Sequence, residues 1–259
     1  MLLAIDVGNT NIVLGLFDGD RLAHSWRVQT LRERTADELG LIATALFAHV
    51  GITPTEIGGV IVGSVVPPLT QTVCDMVQRY VGRPAMVVDA VAHAGMPIHC
   101  TTPAEVGTDR IVTAVAAHAE YGQVGRPLLV CDFGTATTLD AVDATGAYRG
   151  GAICPGVSIS ADALFQRAAR LPRIEVRRPA TAIGRSTVEA MESGLFFGYV
   201  GMVEGLLRRM DAELGGDSVC VATGGLATVI APETHLVRHV DVDLTLKGLR
   251  LVWQRQARA

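Results

Sequence analysis

The chain has 259 residues, 49% hydrophobic and 19% charged, with a net charge of −4. That composition suits a soluble globular protein with a sizeable core, and the acidic balance argues against nucleic acid as a partner. The N-terminus MLLAIDVGNTN lacks a basic start and reaches Asp6 at once, unlike a signal peptide, and no apolar run approaches the roughly 20 residues of a membrane span. A cytoplasmic protein without a membrane partner is therefore expected. Cys74, Cys100, Cys131, Cys154 and Cys220 are odd in number and form no CxxC, which points to reduced thiols.

In chain order, Leu2–Asp6, Ile12–Phe17 and Leu22–Gln29 read as strands, the last two joined by the turn Asp18–Arg21. Leu39, Ile42, Ala43, Leu46 and Phe47 recur at helical spacing and predict a helix over Thr35–Val50. A strand is expected over Gly59–Val65, stopped by Pro67-Pro68, then a helix over Leu69–Val81 and a strand over Ala85–Asp89. Ile111–Tyr121 predicts another helix, with Gly107-Thr108-Asp109 at its start.

From Pro127 the order restarts. Strands are expected at Leu128–Asp132, Thr138–Asp143 and Ala147–Ile153, then helices from about Ser158 to Ala169 and from Val188 to Leu214. Val219–Thr223 and Val237–Val240 read as strands, and Leu244–Gln256 as a closing helix. Three strands followed by helix and then by further strand and helix thus occur twice, the second copy with two helices after its third strand. AIDVGNTN opens the first copy and VCDFGTATT the second, about half the chain apart. A duplicated α/β domain accounts for this, and a cleft between two lobes is a common ligand site.

Each phrase delivers a carboxylate, Asp6 or Asp132, to a strand end, followed by a glycine and then hydroxyl or amide side chains. A single copy reads most simply as an Asx turn joining two strands. Two copies favour loops that hold phosphate from both sides, with the carboxylates near a hard cation. Neither is a P-loop or a Rossmann fingerprint. Ala222-Thr223-Gly224-Gly225 and Gly150–Gly156 are further glycine turns, each either a plain connection or a surface for a flat base or sugar.

Gly107-Thr108-Asp109-Arg110 reads first as a helix cap. Its alternative is a proton-accepting Asp beside an Arg that grips a carboxylate. His235 and His239 lack a third metal ligand, His93 and His99 flank a Gly-Met-Pro turn, and Arg250, Arg255 and Arg258 read as a solvated helix end.

Taken in order, DVGNTN at Asp6, EVGTDR at Glu105, DFGTATT at Asp132, GGAICPG at Gly150, IGRSTVEAMESG at Ile183, ATGG at Ala222 and LTLKGL at Leu244 resemble type III pantothenate kinases. The resemblance covers essentially the whole chain. It implies an α/β fold of duplicated ribonuclease-H-like, actin-like ATPase domains with an ATP cleft between them, divided here as residues 1–118 and 119–259. It also implies ATP-dependent phosphorylation of pantothenate in coenzyme A biosynthesis.

Carried over by position, Asp6, Val7, Gly8, Asn9, Thr10, Asn11, Ile12 and Val13 form the first phosphate loop, with Asp6 on the Mg²⁺ side. Asp132 becomes the ligand of a monovalent cation, K⁺ or NH₄⁺, and Thr135 an ATP contact. Gly224 and Gly225 form the adenosine turn. Gly107, Thr108, Asp109 and Arg110 form the pantothenate site, with Asp109 as general base. Thr187 is a substrate contact supplied across a homodimer interface. Thr108, Cys100 and Ser186 depart from the Ala, Tyr and Asn common in that family. The competing readings are a non-enzymatic accessory or regulatory member of the same family, or a related kinase acting on another small hydroxyl compound.

Overall fold

The structure, a computed structural model, describes residues 1–168 and 171–257, in two compact units. One takes Met1–Gly95, Thr102–Ala116 and the chain from Thr245 onward; the other takes Met96–Thr101 and Ala117–Leu244.

In the first unit β1 (Leu2–Val7), β2 (Asn11–Asp18) and β3 (Arg21–Gln29) form an antiparallel meander. β4 (Gly59–Ser64) adds parallel to β1, and β5 (Ala85–Val87) parallel to β4, giving the order β3-β2-β1-β4-β5. α1 (Ala36–His49) starts with a capping box: Thr35 Oγ1 accepts the Glu38 amide (3.3 Å), and the Glu38 carboxylate accepts the Thr35 amide (2.7 Å). α2 (Pro67–Met76) is continued by one wider π turn, closed by the Gly82 amide on the Val77 carbonyl (3.1 Å).

The pleat sorts β1 between two packed faces. Leu3, Ile5 and Val7 pack with Leu39 and Phe47 of α1 and with Leu69 and Val73 of α2. Ala4 turns the other way, into a cluster with Ile61, Val112, Leu246, Leu249 and Val252. Those last three lie on α7 (Leu244–Gln256), and Val112 on α3 (Thr108–Tyr121). α7 crosses α3 so closely that a Cβ on Gly248 would overlap the Val112 carbonyl.

Of the helix end expected to be solvated, Arg250 is instead packed. Arg250 is 8% exposed, pairs with Asp20 and lies 5.7 Å over the Phe17 ring. Arg255 stays exposed, as expected, and donates to the Ala94 carbonyl (3.0 Å). Arg258 lies outside the described residues. β5 also ends two residues before the expected Asp89, because the Asp89 carboxylate accepts the amides of Val91 (2.9 Å) and Ala92 (2.7 Å) and turns the chain.

The second unit repeats the plan. β6 (Leu128–Phe133), β7 (Ala136–Val142) and β8 (Tyr148–Pro155) form the meander, and β9 (Val219–Thr223) and β10 (His239–Val240) add in parallel, in the order β10-β9-β6-β7-β8. Leu129, Cys131 and Phe133 face α4 (Val157–Arg167), α5 (Thr187–Glu213) and the short α6 (Ala227–Ile230) through Val157, Phe196, Val200, Val203 and Ile230. Burying a side chain such as Phe196 contributes about 2–3 kcal/mol. β10 is shorter than expected: only His239 and Val240 pair with β9.

The correspondence extends to irregularities. Leu2 pairs with Phe17 just past a bulge at Leu16/Phe17, and Leu128 pairs with Val142 just past a bulge at Ala141/Val142. A bulge conserved in place between the two sheets is the mark of a duplicated domain.

Candidate active site

Asp6 and Asp132 occupy the same position in the two units. Asp6 pairs with Val13 and Gly63, and Asp132 with Thr138 and Thr223. Each points away from the face covered by α1 and α2 or by α4 and α5, one residue before its strand ends. Each strand runs parallel to its neighbour β4 or β9, so the carboxylate meets the carboxyl edge of two parallel strands, where ligands commonly bind.

The first loop is tight: the Gly8 amide donates to the Asn11 carbonyl (3.0 Å). Val7 and Ile12 are buried, Val13 is half-buried, and Asn9 and Thr10 are exposed. Apolar neighbours thus fix the loop's stems and leave its tip open. The Val65 amide bonds the Val7 carbonyl (3.1 Å), joining this loop to the one after β4.

Gly107-Thr108-Asp109-Arg110 opens α3 in the same unit. Gly107 neighbours Val65, and Val112 shares a cluster with Ala4. One turn back from Val112 on α3 is Asp109, and two residues on from Ala4 on β1 is Asp6. The packing therefore directs both carboxylates toward one edge of the first sheet. Asp109 Oδ1 accepts the Arg110 amide (2.8 Å) at the positive end of α3. Thr108 is the first helical residue.

In the second unit the Gly134 amide donates to the Ala136 carbonyl (3.1 Å), leaving Gly134 and Thr135 exposed. The Gly224-Gly225 turn follows β9 and touches this loop, the Leu226 amide reaching the Phe133 carbonyl (3.3 Å). Gly224 has φ +89°, and a Cβ there would meet Asp132 Oδ1 and lie 2.7 Å from the Phe133 backbone. Only glycine fits both the conformation and the space. Gly225 is exposed beside it.

Thr187 opens α5, exposed, after the N-cap Ser186, whose hydroxyl accepts the Glu189 amide (3.2 Å). Nearby is an open polar cavity of about 500 Å³, bordered by Arg177, Arg185, Glu189 and Glu192. Arg177 pairs there with the buried Glu192 (2.7 Å), and the Arg185 backbone amide donates to the Glu189 carboxylate (2.6 Å).

His93 and His99 flank the Gly-Met-Pro turn in different ways. His93 Nδ1 accepts the Asp89 amide (2.9 Å), and the His99 amide bonds Tyr148 (2.8 Å), so that 97–99 runs along the edge of β8. No cluster of three or more His, Cys, Asp or Glu residues suited to a metal occurs among the described residues. Their helices include none long and apolar enough to cross a membrane. Cys131 and Cys220 are buried with sulfurs 3.9 Å apart. Their hydrogen bond and then burial push the Cys131 thiol well above its usual range, so it stays protonated and unreactive.

Three supports of the loops are not legible as motifs. Thr30, just past β3, donates its hydroxyl to the Gly8 carbonyl (2.7 Å) and its amide to the Thr10 carbonyl (2.9 Å). Tyr199 of α5 bridges the Thr137 hydroxyl and the Pro155 carbonyl, which flank the second loop. Burial raises the Tyr199 phenol, although the Thr137 bond pulls it down, so it remains a neutral hydroxyl. Asp140, 2% exposed, accepts from Tyr148 (2.6 Å) and Thr138 (3.1 Å) on the same face as Asp132. Helical spacing could have put Tyr199 on the core face of α5, but nothing local names its partners.

The family model of type III pantothenate kinase matches residues 2–209. A type III pantothenate kinase from Moorella thermoacetica is 51% identical over 98% of this chain and 99% of its own. Among solved structures, a conserved Baf family protein from Campylobacter jejuni, named as a candidate transcriptional activator, superposes with a TM-score of 0.61 at 16% identity, over 99% of this chain and all of that one. An inorganic polyphosphate/ATP-glucomannokinase from Arthrobacter gives 0.50 at 17% identity, over 98% of both chains. At such identities the two structures speak for the fold alone.

Proposed function

The chain belongs to the type III pantothenate kinase family, and from that membership we propose how its loops divide the work. The enzyme transfers a phosphoryl group from ATP to pantothenate in coenzyme A biosynthesis. The observation that carries the reading is 51% identity over nearly the full length of a curated pantothenate kinase, with Asp6, Asp109, Arg110 and Asp132 all present.

In this reading Asp109 accepts the proton of pantothenate's primary hydroxyl as that oxygen attacks the γ-phosphorus and ADP departs. Arg110 holds the substrate carboxylate. Phosphoryl transfer depends mainly on in-line placement and charge neutralisation. Amides at the exposed tips of the Gly8–Asn11 and Gly134–Ala136 loops serve as phosphate donors, and Gly224-Gly225 as the surface against adenosine. With no Walker lysine in the sequence, backbone dipoles and cations carry more of the electrostatic load.

The donor sets suit the implied cations. Asp6 and Asp132 each stand beside a loop rich in carbonyl and hydroxyl oxygen, the hard ligands that Mg²⁺ and K⁺ prefer. Asp6 is assigned to the Mg²⁺ that accompanies ATP, and Asp132 to K⁺ or NH₄⁺. Bound there, the cations offset the triphosphate charge. Thr187 is assigned to the substrate of a second copy in a homodimer, and its exposure beside a polar cavity supports that role. The cytoplasm, where ATP and pantothenate meet, is the assigned compartment.

The test is ADP formation with pantothenate against other small hydroxy acids, in K⁺ and in Na⁺. Turnover should need pantothenate and fall when Na⁺ replaces K⁺. Turnover with a different hydroxy acid alone would overturn the acceptor, and indifference to the cation would overturn the role of Asp132. Mixed Asp109→Asn and Thr187→Ala chains should regain activity if the site is shared; no gain despite proven subunit exchange would overturn the sharing.

A further inference from the structure

We propose that Thr30 is a positioning residue for ATP, acting through the first phosphate loop; this rests on the reading of Gly8–Asn11 as that loop. Thr30 lies outside the hairpin β1–β2, yet makes two bonds to its tip. Its hydroxyl donates to the Gly8 carbonyl (2.7 Å) and its amide to the Thr10 carbonyl (2.9 Å). These carbonyls flank Asn9, the exposed centre of the loop.

The consequence follows from peptide geometry. A trans peptide is planar, and its carbonyl and N–H point in opposite directions. Fixing the Gly8 carbonyl toward Thr30 therefore aims the Asn9 N–H away from Thr30, on the loop's open side. An amide aimed before ligand arrives costs no reorganisation when phosphate binds. Without the hydroxyl, the Gly8–Asn9 plane is free to rotate, since glycine resists little.

The arrangement is specific to this loop. The bulge at Leu16/Phe17 shifts β3 by one residue, so that Thr30 rather than Gln29 lies opposite Thr10. In the second unit Ala136 pairs with Pro155, which puts Gly156 beside Thr135 at the equivalent place. That residue has no side chain to offer, and the second loop takes its outside hydroxyl from Tyr199 instead. The two loops are similar in path but held by different means.

The test compares Thr30→Val, which keeps shape and amide but removes the hydroxyl, with Thr30→Ser, which restores it. Thr30→Val should raise the KM for ATP about 5- to 30-fold, while the KM for pantothenate and the melting temperature change little. Thr30→Ser should recover most of the loss. A normal ATP KM in Thr30→Val, an equal rise in both KM values, or no rescue by serine would each overturn the proposal. Asp6→Asn separates the two levels of inference. If it impairs ATP use while Thr30→Val does not, only the positioning role fails. If neither variant affects ATP use, the loop assignment fails with it.

Discussion

Gly224→Ala perturbs the second loop through both conformation and space. Alanine at φ +89° is strained by about 1–3 kcal/mol. Its methyl group would also meet Asp132 Oδ1 and approach the Phe133 backbone to 2.7 Å, and backbone cannot swing aside as a flexible side chain can. Overpacking of this kind costs about 1–3 kcal/mol. The combined loss is about 2–6 kcal/mol, which for a chain of this size lowers the melting temperature by about 4–24 °C. Because the displaced groups are Asp132 and the strand end leading into Gly134, ATP affinity and K⁺ activation should fall with stability. Thermal melting and ATP titration in K⁺ measure both. A variant within about 1 kcal/mol of wild type and with unchanged ATP affinity would refute the argument that the turn is packed against Asp132.

Asp109→Asn should lower turnover by orders of magnitude while ATP still binds; near-normal turnover would remove Asp109 as the base. Tyr199→Phe strands Thr137 and the Pro155 carbonyl, so denaturant unfolding should show a loss of about 1–3 kcal/mol; a neutral change would show that the bridge holds nothing. Asp143 gives a pH signature. Burial pushes its carboxyl up, but hydrogen bonds from the Thr145 hydroxyl, the Ala147 and Thr145 amides and Arg149 outweigh that and hold it at about 2. A depressed carboxyl stabilises the fold above its unfolded pKa near 4, and the benefit fades as pH falls toward 2. Asp143→Ala should therefore be destabilised at pH 7, and the gap from wild type should narrow between pH 4 and 2; a constant gap would refute the linkage.

The sequence by itself determined most of the local plan. The continuous apolar runs in Leu2–Val7 and Leu128–Phe133 marked buried strands, and Asp6 and Asp132 fall on the opposite face from Leu3 and Leu129 because strand periodicity is a property of the backbone. Glycine and acid at fixed offsets marked both loops, the Gly224-Gly225 turn and the start of α3, since each depends on only a few adjacent residues. Tertiary structure decided what those segments meet. The amphipathic pattern of α7 names an apolar face but no partner, and only packing put Leu246 and Leu249 on the first sheet and drew Arg250 out of solvent. Counting back from the Asp18–Arg21 turn would set Gln29 opposite Thr10; the bulge at Leu16/Phe17 moves the register by one and brings Thr30 there instead. Bulges depend on how a whole sheet twists. The residue that holds the first loop is therefore decided by the sheet, although the loop itself is plain in the sequence.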